Sequence, residues 1–189
     1  RLWSWAVVHL LYRLHVRGYE NIPENGAVVL ACNHVSFIDW LVVMGAVGRP
    51  TRFIIYYKYY DVPIGRHLMR QARVIRIASK SEDANLLGAA YEVVSRALKN
   101  GEVVCLFPEG QVTYDGKLQP FKPGIAKVIA RNPVPVVPMA LNGLYSSMFS
   151  RKGGSAFFKI PRKLWKPIYL QIGKPIPPEE FSLELLEAR

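Results

Sequence analysis

The alternation of short, fully apolar segments with longer segments of helical spacing most constrains how this chain folds. The runs AVVLAC (27–32) and EVVCLF (102–107) have the length and apolar continuity of buried strands. Just before the second run, residues 82–101 carry apolar side chains at helical spacing and end in Asn-Gly, a pattern typical of an amphipathic helix. Strands that alternate with helices predict an α/β domain with a largely parallel sheet.

The same criteria predict further elements and an overall architecture. Further strands are predicted at 51–57, 73–77, 134–141 and 167–173, and further helices at 2–14, 36–48, 65–70, 124–132 and 177–189. The prolines within 134–141 suggest an edge or irregular strand, because proline cannot donate a ladder hydrogen bond. We expect a single α/β domain over 19–189, in which helices flank a largely parallel mixed sheet and the active site lies at the strand carboxyl ends. An apolar helix over 1–18 would precede it, either packed or lying in a bilayer interface.

The charge and the cysteine content restrict the partners of the chain. Lysine and arginine number 25 against 14 aspartates and glutamates, a net charge of +11, which favours an anionic partner. Aromatic residues make up 12% of the chain, which favours lipid over nucleic acid, and no nucleic-acid recognition motif is present. Cys32 and Cys105 lack metal-binding spacing, so we expect reduced core thiols. The chain also lacks a P-loop and a dinucleotide-binding glycine pattern, and we expect neither a metal nor another cofactor. No apolar run reaches the roughly 20 residues of a membrane span, and the initial Arg1 predicts a piece of a longer protein.

The segment NHVSFID (33–39) places a histidine and an aspartate directly after a buried strand. One interpretation is structural: Ser36 caps the following helix, and Asp39, three residues later, completes a capping pattern. The other is chemical: the Asp39 carboxylate contacts one imidazole nitrogen of His34, fixes its tautomer and leaves the other nitrogen free as a base. The two interpretations are compatible, because a single turn can serve both purposes.

A second strand, 102–107, runs into the polar sequence FPEG (107–110). If the two strands are neighbours, His34, Asp39 and Glu109 meet at one edge of the sheet. The Asn-His-x4-Asp pattern, followed by Phe-Pro-Glu-Gly, then by FKPG (121–124) and VPVVPMAL (134–141), resembles the motifs of the glycerolipid acyltransferase family, which includes the lysophosphatidate acyltransferases. The resemblance extends from about residue 19 to residue 173, most of the chain.

The resemblance implies transfer of a fatty acyl group from acyl-CoA or acyl-carrier protein to the hydroxyl of a lysophospholipid. His34 would take the proton from the acceptor hydroxyl, and Asp39 would hold and charge-balance the imidazole. Asn33, Glu109 and Gly110 would belong to the substrate site, where Glu109 would contact the glycerol part of the acceptor and Gly110 would allow close approach of the backbone.

One further expectation concerns the reaction itself, and alternative functions also remain. Helix geometry suggests that backbone N–H groups at the start of the 36–48 helix stabilise the oxyanion. Other functions stay open: a thioesterase or lipid hydrolase that uses His34 as a base on water, and a non-catalytic lipid- or carrier-binding domain.

The chain departs from the family pattern where many members carry arginines. Gln111 and Val112 follow Phe-Pro-Glu-Gly in place of Thr-Arg, and the segment QARVIRIASK (71–80) lacks the usual terminal arginine. An acceptor with a larger head group than lysophosphatidate therefore becomes a candidate. The basic residues that we predict as substitute phosphate or carrier contacts are Lys58, Arg73, Arg76 and Lys122. Of these, Lys122 matches the family motif.

Residues 144–166 combine six basic and five aromatic residues with no acidic residue. This composition suits the head-group layer of an anionic membrane, and a mobile loop with ordinary surface lysines is the alternative. We therefore expect the domain at the cytoplasmic face of a membrane, either as a peripheral protein or as a domain of a larger membrane protein.

Overall fold

A seven-stranded sheet organises the described residues, which are 2–60, 69–153 and 165–189 of the computed structural model, with side chains described from residue 6 onward. The strands are β1 (Tyr12–Arg17), β2 (Val28–Cys32), β3 (Thr51–Tyr56), β4 (Ile75–Ile77), β5 (Val103–Leu106), β6 (Val136–Asn142) and β7 (Lys166–Ile172). Their order across the sheet is β1-β7-β6-β2-β5-β3-β4. Strands β2 to β6 run parallel to one another, whereas β7 is antiparallel to β6 and β1 is parallel to β7. The prediction of a largely parallel mixed sheet is confirmed.

Helices cover both faces of this sheet. Their bounds are α1 (Leu2–Leu11), α2 (Asp39–Ala46), α3 (Ala84–Lys99), α4 (Gly124–Arg131) and α5 (Leu183–Glu187). Alternate residues of β2 enter two separate cores, as the pleat requires: Leu30 packs in the core of α1 and α2, and Val29 in the core of α3 and α4. Residues 69–71 are also helical, whereas the rest of the predicted 65–70 helix lies outside the described residues. None of the described helices is long and apolar enough to cross a membrane.

The centre of the sheet explains the apolar runs in the sequence. Every residue of β2 and β5 is buried, because each strand has neighbours on both sides and helices on both faces. Cys32 and Cys105 lie within these strands as free thiols, and burial raises the pKa of both. They are core residues, as predicted. Because β2 and β5 are paired in parallel, their carboxyl ends open at the same edge of the sheet.

The predicted helix over 2–14 is wrong at its end. Helix α1 stops at Leu11, and Tyr12–Arg17 form the edge strand β1, which pairs with β7. The sequence YRLHVR alternates apolar and polar residues, and the burial of the strand follows this period of two. Because the residues of α1 before it are almost all apolar, the change from helical spacing to the two-residue period of a strand was not recognised in the sequence.

The predicted edge position of strand 134–141 is also wrong. Strand β6 lies inside the sheet between β7 and β2. Pro138 is tolerated there because it lies opposite Gly173, just beyond the end of β7, where the Gly173 N–H donates to the Pro138 carbonyl at 2.9 Å. The proline therefore lies where the pairing of β6 with β7 ends, so its missing N–H interrupts no hydrogen bond between these two strands. The last helix is shorter than predicted: it begins after Ser182, whose hydroxyl accepts the Leu185 N–H at 3.0 Å.

Candidate active site

The candidate site forms where β2 and β5 end, and this adjacency brings the predicted residues together. The backbone N–H of His34 donates to Glu109 Oε1 at 2.6 Å, although the residues are 75 positions apart in sequence. The His34 imidazole stacks on the ring of Phe107, with centroids 4.2 Å apart and planes inclined by 17°. The sequence-based prediction that the two strand ends meet at one edge is confirmed.

A single carboxylate oxygen organises the turn between β2 and α2. Asp39 Oδ2 lies 2.8 Å from His34 Nδ1 and accepts the backbone N–H groups of Val35 (2.7 Å) and Ser36 (2.9 Å). Helix α2 begins at Asp39 instead of at Ser36, so the cap position belongs to Ile38. The prediction that Ser36 caps the helix is therefore wrong, because no side chain caps α2. The contact of Asp39 with Ser36 is present, and the same carboxylate oxygen that folds the turn also holds the imidazole.

The surroundings of this pair define which nitrogen of His34 is available. Asp39 is fully buried, whereas 19% of the His34 side chain is exposed. A carboxylate at Nδ1 keeps the proton on that nitrogen, so the lone pair is at Nε2. Nε2 has no hydrogen-bond partner within the described part of the chain. The arrangement presents a base on an anchored imidazole.

Burial of Asp39 has an electrostatic cost. Burial raises the pKa of the carboxyl, and the hydrogen bonds from His34, Ser36 and Val35 oppose that rise. Its second oxygen, Oδ1, is buried and has no hydrogen-bond partner among the described residues. Hydrogen bonds thus stabilise the ionised form of Asp39 at one oxygen only. The stability of this ionised form therefore depends strongly on the neighbouring imidazole.

Glu109 is buried against the backbone of His34 and does not line an open substrate site. Only 2% of the residue is exposed, and burial raises the pKa of its carboxyl. Oε1 accepts the His34 N–H, and Oε2 accepts the Gln119 N–H at 2.8 Å. In this geometry Glu109 clamps the β2 end to the loop before α4. The predicted contact with the glycerol part of an acceptor would require this clamp to open.

Asn33 extends the sheet by one side chain. Its Nδ2 donates to the Leu141 carbonyl at 3.1 Å, and its Oδ1 accepts the Leu141 N–H at 2.7 Å. The amide therefore pairs with the backbone of β6 as a strand would. This contact fixes the position of the following residue, His34, so the structure gives Asn33 a positioning contact where the sequence predicted a substrate contact.

Gly110 and Lys122 do lie together at the site. Gly110 has a φ of +67°, a conformation that favours glycine, and a Cβ there would lie 2.9 Å from the Lys122 Nζ atom, so the lysine side chain lies directly against this glycine. The Lys122 N–H donates to the Pro108 carbonyl at 2.9 Å, which anchors the segment FKPG against FPEG. Lys122 is exposed and forms no ion pair within the described residues. Its ammonium group is available to an anion.

The structure does not bring the other predicted basic residues next to His34. Arg73 and Arg76 are exposed and belong to the β4 region, at the sheet edge, three strand spacings or about 14 Å from β2. The Arg76 guanidinium lies over the Tyr60 ring, and the Lys58 ammonium pairs with Glu82 at 3.2 Å. Arg76 and Lys58 therefore have local partners, and of the four predicted basic residues the structure places Lys122 at the site.

The predicted oxyanion donors are engaged elsewhere. The Ser36 N–H donates to Asp39 Oδ2, the Phe37 N–H donates to the Phe149 carbonyl at 3.0 Å, and the Asp39 N–H donates to the Ser36 carbonyl at 3.3 Å. The prediction that the first turn of the 36–48 helix supplies free donors is therefore wrong for these three groups. The turn uses them to hold the imidazole and its own conformation.

Sequence reasoning missed the contribution of two later segments. The Thr113 N–H donates to the His34 carbonyl at 2.8 Å, and Ser147 Oγ lies 3.4 Å from Ser36 Oγ. Within the basic and aromatic stretch 144–166, residues 144–153 thus pack on the site, and 154–164 lie outside the described residues. The signal for Thr113 was its place three residues after Gly110. Ser147 gave no signal, because the contact spans 111 positions.

Comparison with known proteins identifies the family of this fold and site. The model of the Acyltransferase family matches residues 13–142. The chain is 31% identical over 147 residues to the chloroplastic 1-acyl-sn-glycerol-3-phosphate acyltransferase BAT2 of Brassica napus, covering 76% of this chain and 41% of the relative. It is 31% identical over 144 residues to the chloroplastic enzyme of the same kind, LPAT1, of Arabidopsis thaliana, covering 76% and 40%. The chain belongs to the acyltransferase family, as its motifs predicted.

A solved structure supports the same assignment. The crystal structure of the 1-acyl-sn-glycerophosphate acyltransferase PlsC from Thermotoga maritima superposes with a TM-score of 0.73 at 25% sequence identity. The match covers 95% of this chain and 69% of that chain. The present chain spans about two-fifths of the length of the two plant relatives. The residues matched by the family model, 13–142, contain strands β2 to β6 and the strand ends that carry the candidate site.

Proposed function

We propose that this protein is an O-acyltransferase that moves a fatty acyl group from a thioester, acyl-CoA or acyl-carrier protein, to the hydroxyl of a lysophospholipid. One observation carries the proposal: the His34 imidazole is held through Nδ1 by buried Asp39 and presents Nε2 without a partner among the described residues. Membership of the acyltransferase family and the names of the relatives support the same chemistry.

The reaction follows from the position of the proton. Nε2 takes the proton of the acceptor hydroxyl as its oxygen attacks the thioester carbonyl, and Asp39 stabilises the imidazolium that forms. The carbon–sulfur bond then breaks, and the imidazolium returns the proton to the leaving thiolate. The products are the acylated lipid and a free thiol. Because the acceptor oxygen attacks the thioester directly, these steps require no acyl-enzyme intermediate.

The head group of the acceptor is the finer part of the proposal. The names of the plant relatives support 1-acyl-glycerol 3-phosphate as the acceptor. Val112 is buried and offers no charge where family members often carry arginine. A lysophospholipid with a larger head group is therefore the second acceptor to test. Both acceptors would serve the synthesis or remodelling of phospholipids.

An anionic membrane surface is the proposed place of action, at the cytoplasmic face. Strands β1 and β7 begin at the edge of the sheet where β2 and β5 end, because they run in the opposite direction. At that edge Leu10 is 77% exposed and Trp165 is 63% exposed, and the Trp165 indole donates to the His9 carbonyl at 3.1 Å. Exposed leucine and tryptophan at the same edge of the sheet as the candidate site, on a chain of charge +11, suit a lipid head-group layer.

The deciding experiment measures acyl transfer from labelled acyl-CoA and labelled acyl-carrier protein to a panel of lysophospholipids. Wild type and His34→Ala are compared, with circular dichroism as the test of folding. We expect transfer by wild type and a loss on the order of 10²- to 10⁴-fold in the folded variant, since a positioned base contributes that much. The acceptor that turns over fastest identifies the head group.

The matched control is His15→Ala. His15 is exposed on β1 and stacks on Tyr169, with centroids 5.1 Å apart. This variant should keep the wild-type rate. Release of free fatty acid without a lipid product would instead identify a hydrolase. Lipid binding without turnover from either donor, unchanged in His34→Ala, would identify a binding domain and refute the catalytic proposal.

A further inference from the structure

Arg151 lies between the two segments that hold the catalytic histidine. Its guanidinium carbon is 4.2 Å from the centroid of the Tyr114 ring and 5.7 Å from that of the Phe37 ring. Phe37 belongs to the turn that carries His34 and Asp39. Tyr114 follows Thr113, whose N–H donates to the His34 carbonyl at 2.8 Å. The guanidinium therefore contacts one ring from each of the two segments that hold His34.

The charge of Arg151 has no acidic partner in the described part of the chain. The neighbouring acid, Asp115, directs Oδ1 toward its own loop, where it accepts from Thr113 Oγ1 (3.0 Å), the Lys117 N–H (3.0 Å) and Gln119 Nε2 (3.1 Å). Arg151 is half-buried, so contact with the rings also removes it in part from water. Such a cation is oriented by aromatic faces while the donors at the edge of its planar group stay free.

The loop after β5 needs a cation from elsewhere if a phosphate is to bind there. The sequence FPEGQVTYD (107–115) contains no lysine or arginine. The chain supplies cations to this loop from two other segments: Lys122, which lies over Gly110, and Arg151, which lies over Tyr114. A planar guanidinium can donate two parallel hydrogen bonds to a phosphate, whereas an ammonium acts as a point charge.

We propose that Arg151 binds the phosphate group of the lysophospholipid acceptor and so helps to select acceptors that carry a phosphate next to the reacting hydroxyl. The proposal rests on the proposed acyl transfer for its substrate. It adds a specificity residue from the 144–153 segment, outside the family motifs in the chain. Lys122 and Arg151 would then hold the phosphate from two sides of the same loop.

The test compares Arg151→Gln and Arg151→Lys with wild type in acyl transfer. We expect Arg151→Gln to raise the KM for the lysophospholipid about 10- to 100-fold, with a smaller change in kcat and an unchanged KM for the acyl donor. Arg151→Lys should recover part of the loss. With a monoacylglycerol, which has a hydroxyl and no phosphate, the variants and wild type should react equally.

Arg131→Gln is the matched control, because Arg131 also lies over a tyrosine ring, that of Tyr91 at 5.1 Å, but at the end of α4. It should leave every KM unchanged. An unchanged acceptor KM in Arg151→Gln would overturn the proposal, as would a rise confined to the donor, whose own phosphates would then be the ligand. An equal loss with the monoacylglycerol would show a structural role and also overturn it.

A binding measurement separates this proposal from the proposed activity. In the His34→Ala protein, which lacks the base, calorimetric titration with monomeric lysophosphatidate should give a dissociation constant that rises about 10- to 100-fold when Arg151→Gln is added. That result would support the phosphate contact even if wild type transferred no acyl group. An unchanged dissociation constant would refute the contact even if acyl transfer were established.

Discussion

At the scale of single residues, the proposed chemistry depends on Asp39, because one of its oxygens contacts the imidazole and accepts two backbone N–H groups. Asp39→Asn keeps the shape but removes the charge that stabilises an imidazolium and fixes the tautomer of His34. We expect the transfer rate to fall on the order of 10²- to 10⁴-fold while the fold persists. Initial rates and circular dichroism check this. A variant with the wild-type rate would exclude Asp39 from the reaction.

The same carboxyl makes stability depend on pH, and the direction follows from its raised pKa. Because the folded protein holds the Asp39 proton more tightly than the unfolded chain does, this residue's contribution to the free energy of unfolding falls as pH rises. The fall starts near the ordinary value of 3.8 and ends above the raised folded value. Asp39→Asn should therefore gain stability relative to wild type as pH rises through this window, in urea unfolding at several pH values. A constant difference would contradict the raised pKa.

Glu109 is the second residue whose role the structure defines more sharply than its motif does. Its two oxygens accept the N–H groups of His34 and Gln119, and Glu109→Gln would turn an amide NH₂ toward one of these donors. We expect a loss of about 1–3 kcal/mol in the free energy of unfolding, since one buried N–H loses its acceptor. The control is Glu92→Gln, because Glu92 is exposed and contacts Arg131 at 3.4 Å; it should change stability by less than about 0.5 kcal/mol. Equal effects of the two variants would refute the clamp.

At the scale of elements, the sequence predicted those parts of the fold whose pattern is local. The buried runs of β2 and β5 and the helical spacing of α3 are visible in any short window of the sequence. Strand β1 was missed because the apolar residues of α1 run directly into it. The interior place of β6 was missed because it depends on where β7 ends beside Pro138.

The candidate site divides in the same way. The contact of His34 with Asp39 spans five positions and was predictable, and the motifs brought in Glu109, Gly110 and Lys122. The pairing of Asn33 with Leu141 spans 108 positions and depends on the order of the strands. The sequence shows which residue types lie at the strand ends. Which partners these residues contact depends on the tertiary structure.

The first turn of α3 provides a prediction about an element that is remote from the chemistry. Asp83 caps this helix, because its carboxylate accepts the Leu86 N–H at 2.8 Å. Asp83→Ala should lower the free energy of unfolding by about 0.5–2 kcal/mol. Asp83→Asn should keep most of the wild-type stability, because asparagine is an equally good cap. Urea unfolding of the three proteins checks both values. The rate of acyl transfer at saturating substrate should not change, and a large loss of rate in Asp83→Ala would show coupling between α3 and the site.

At the scale of the whole molecule, the direction of the strands relates the active site to a surface. Because β1 begins at the edge where β2 ends, the exposed Leu10 and Trp165 lie at the edge of His34. Tyr19 follows the other end of β1, near the opposite edge of the sheet, and is 50% exposed. Both edges thus carry exposed apolar side chains, and Leu10 and Trp165 are on the edge that carries His34.

Binding to lipid should therefore depend on Leu10 and not on Tyr19. Leu10→Glu and Tyr19→Glu each place a carboxylate where an exposed apolar side chain stood, so both lower the net charge by the same amount. We expect Leu10→Glu to weaken binding to vesicles of phosphatidylcholine with phosphatidylserine about tenfold or more, measured by sedimentation, and Tyr19→Glu to bind nearly as wild type does.

Salt separates the two forces that act in this binding. Because the chain carries a charge of +11, wild-type binding should weaken between about 0.1 M and about 1 M salt, as the screening length shortens from about 10 Å to about 3 Å. Apolar contact is not screened, so the ratio between wild type and Leu10→Glu should persist at high salt once the added charge is screened. If both glutamate variants lose binding equally, and salt removes the loss, charge alone attracts the protein and no edge of the sheet is preferred. If Leu10→Glu alone loses binding at both salt concentrations, the edge that carries His34 faces the lipid, and the acceptor hydroxyl reaches Nε2 from the membrane side.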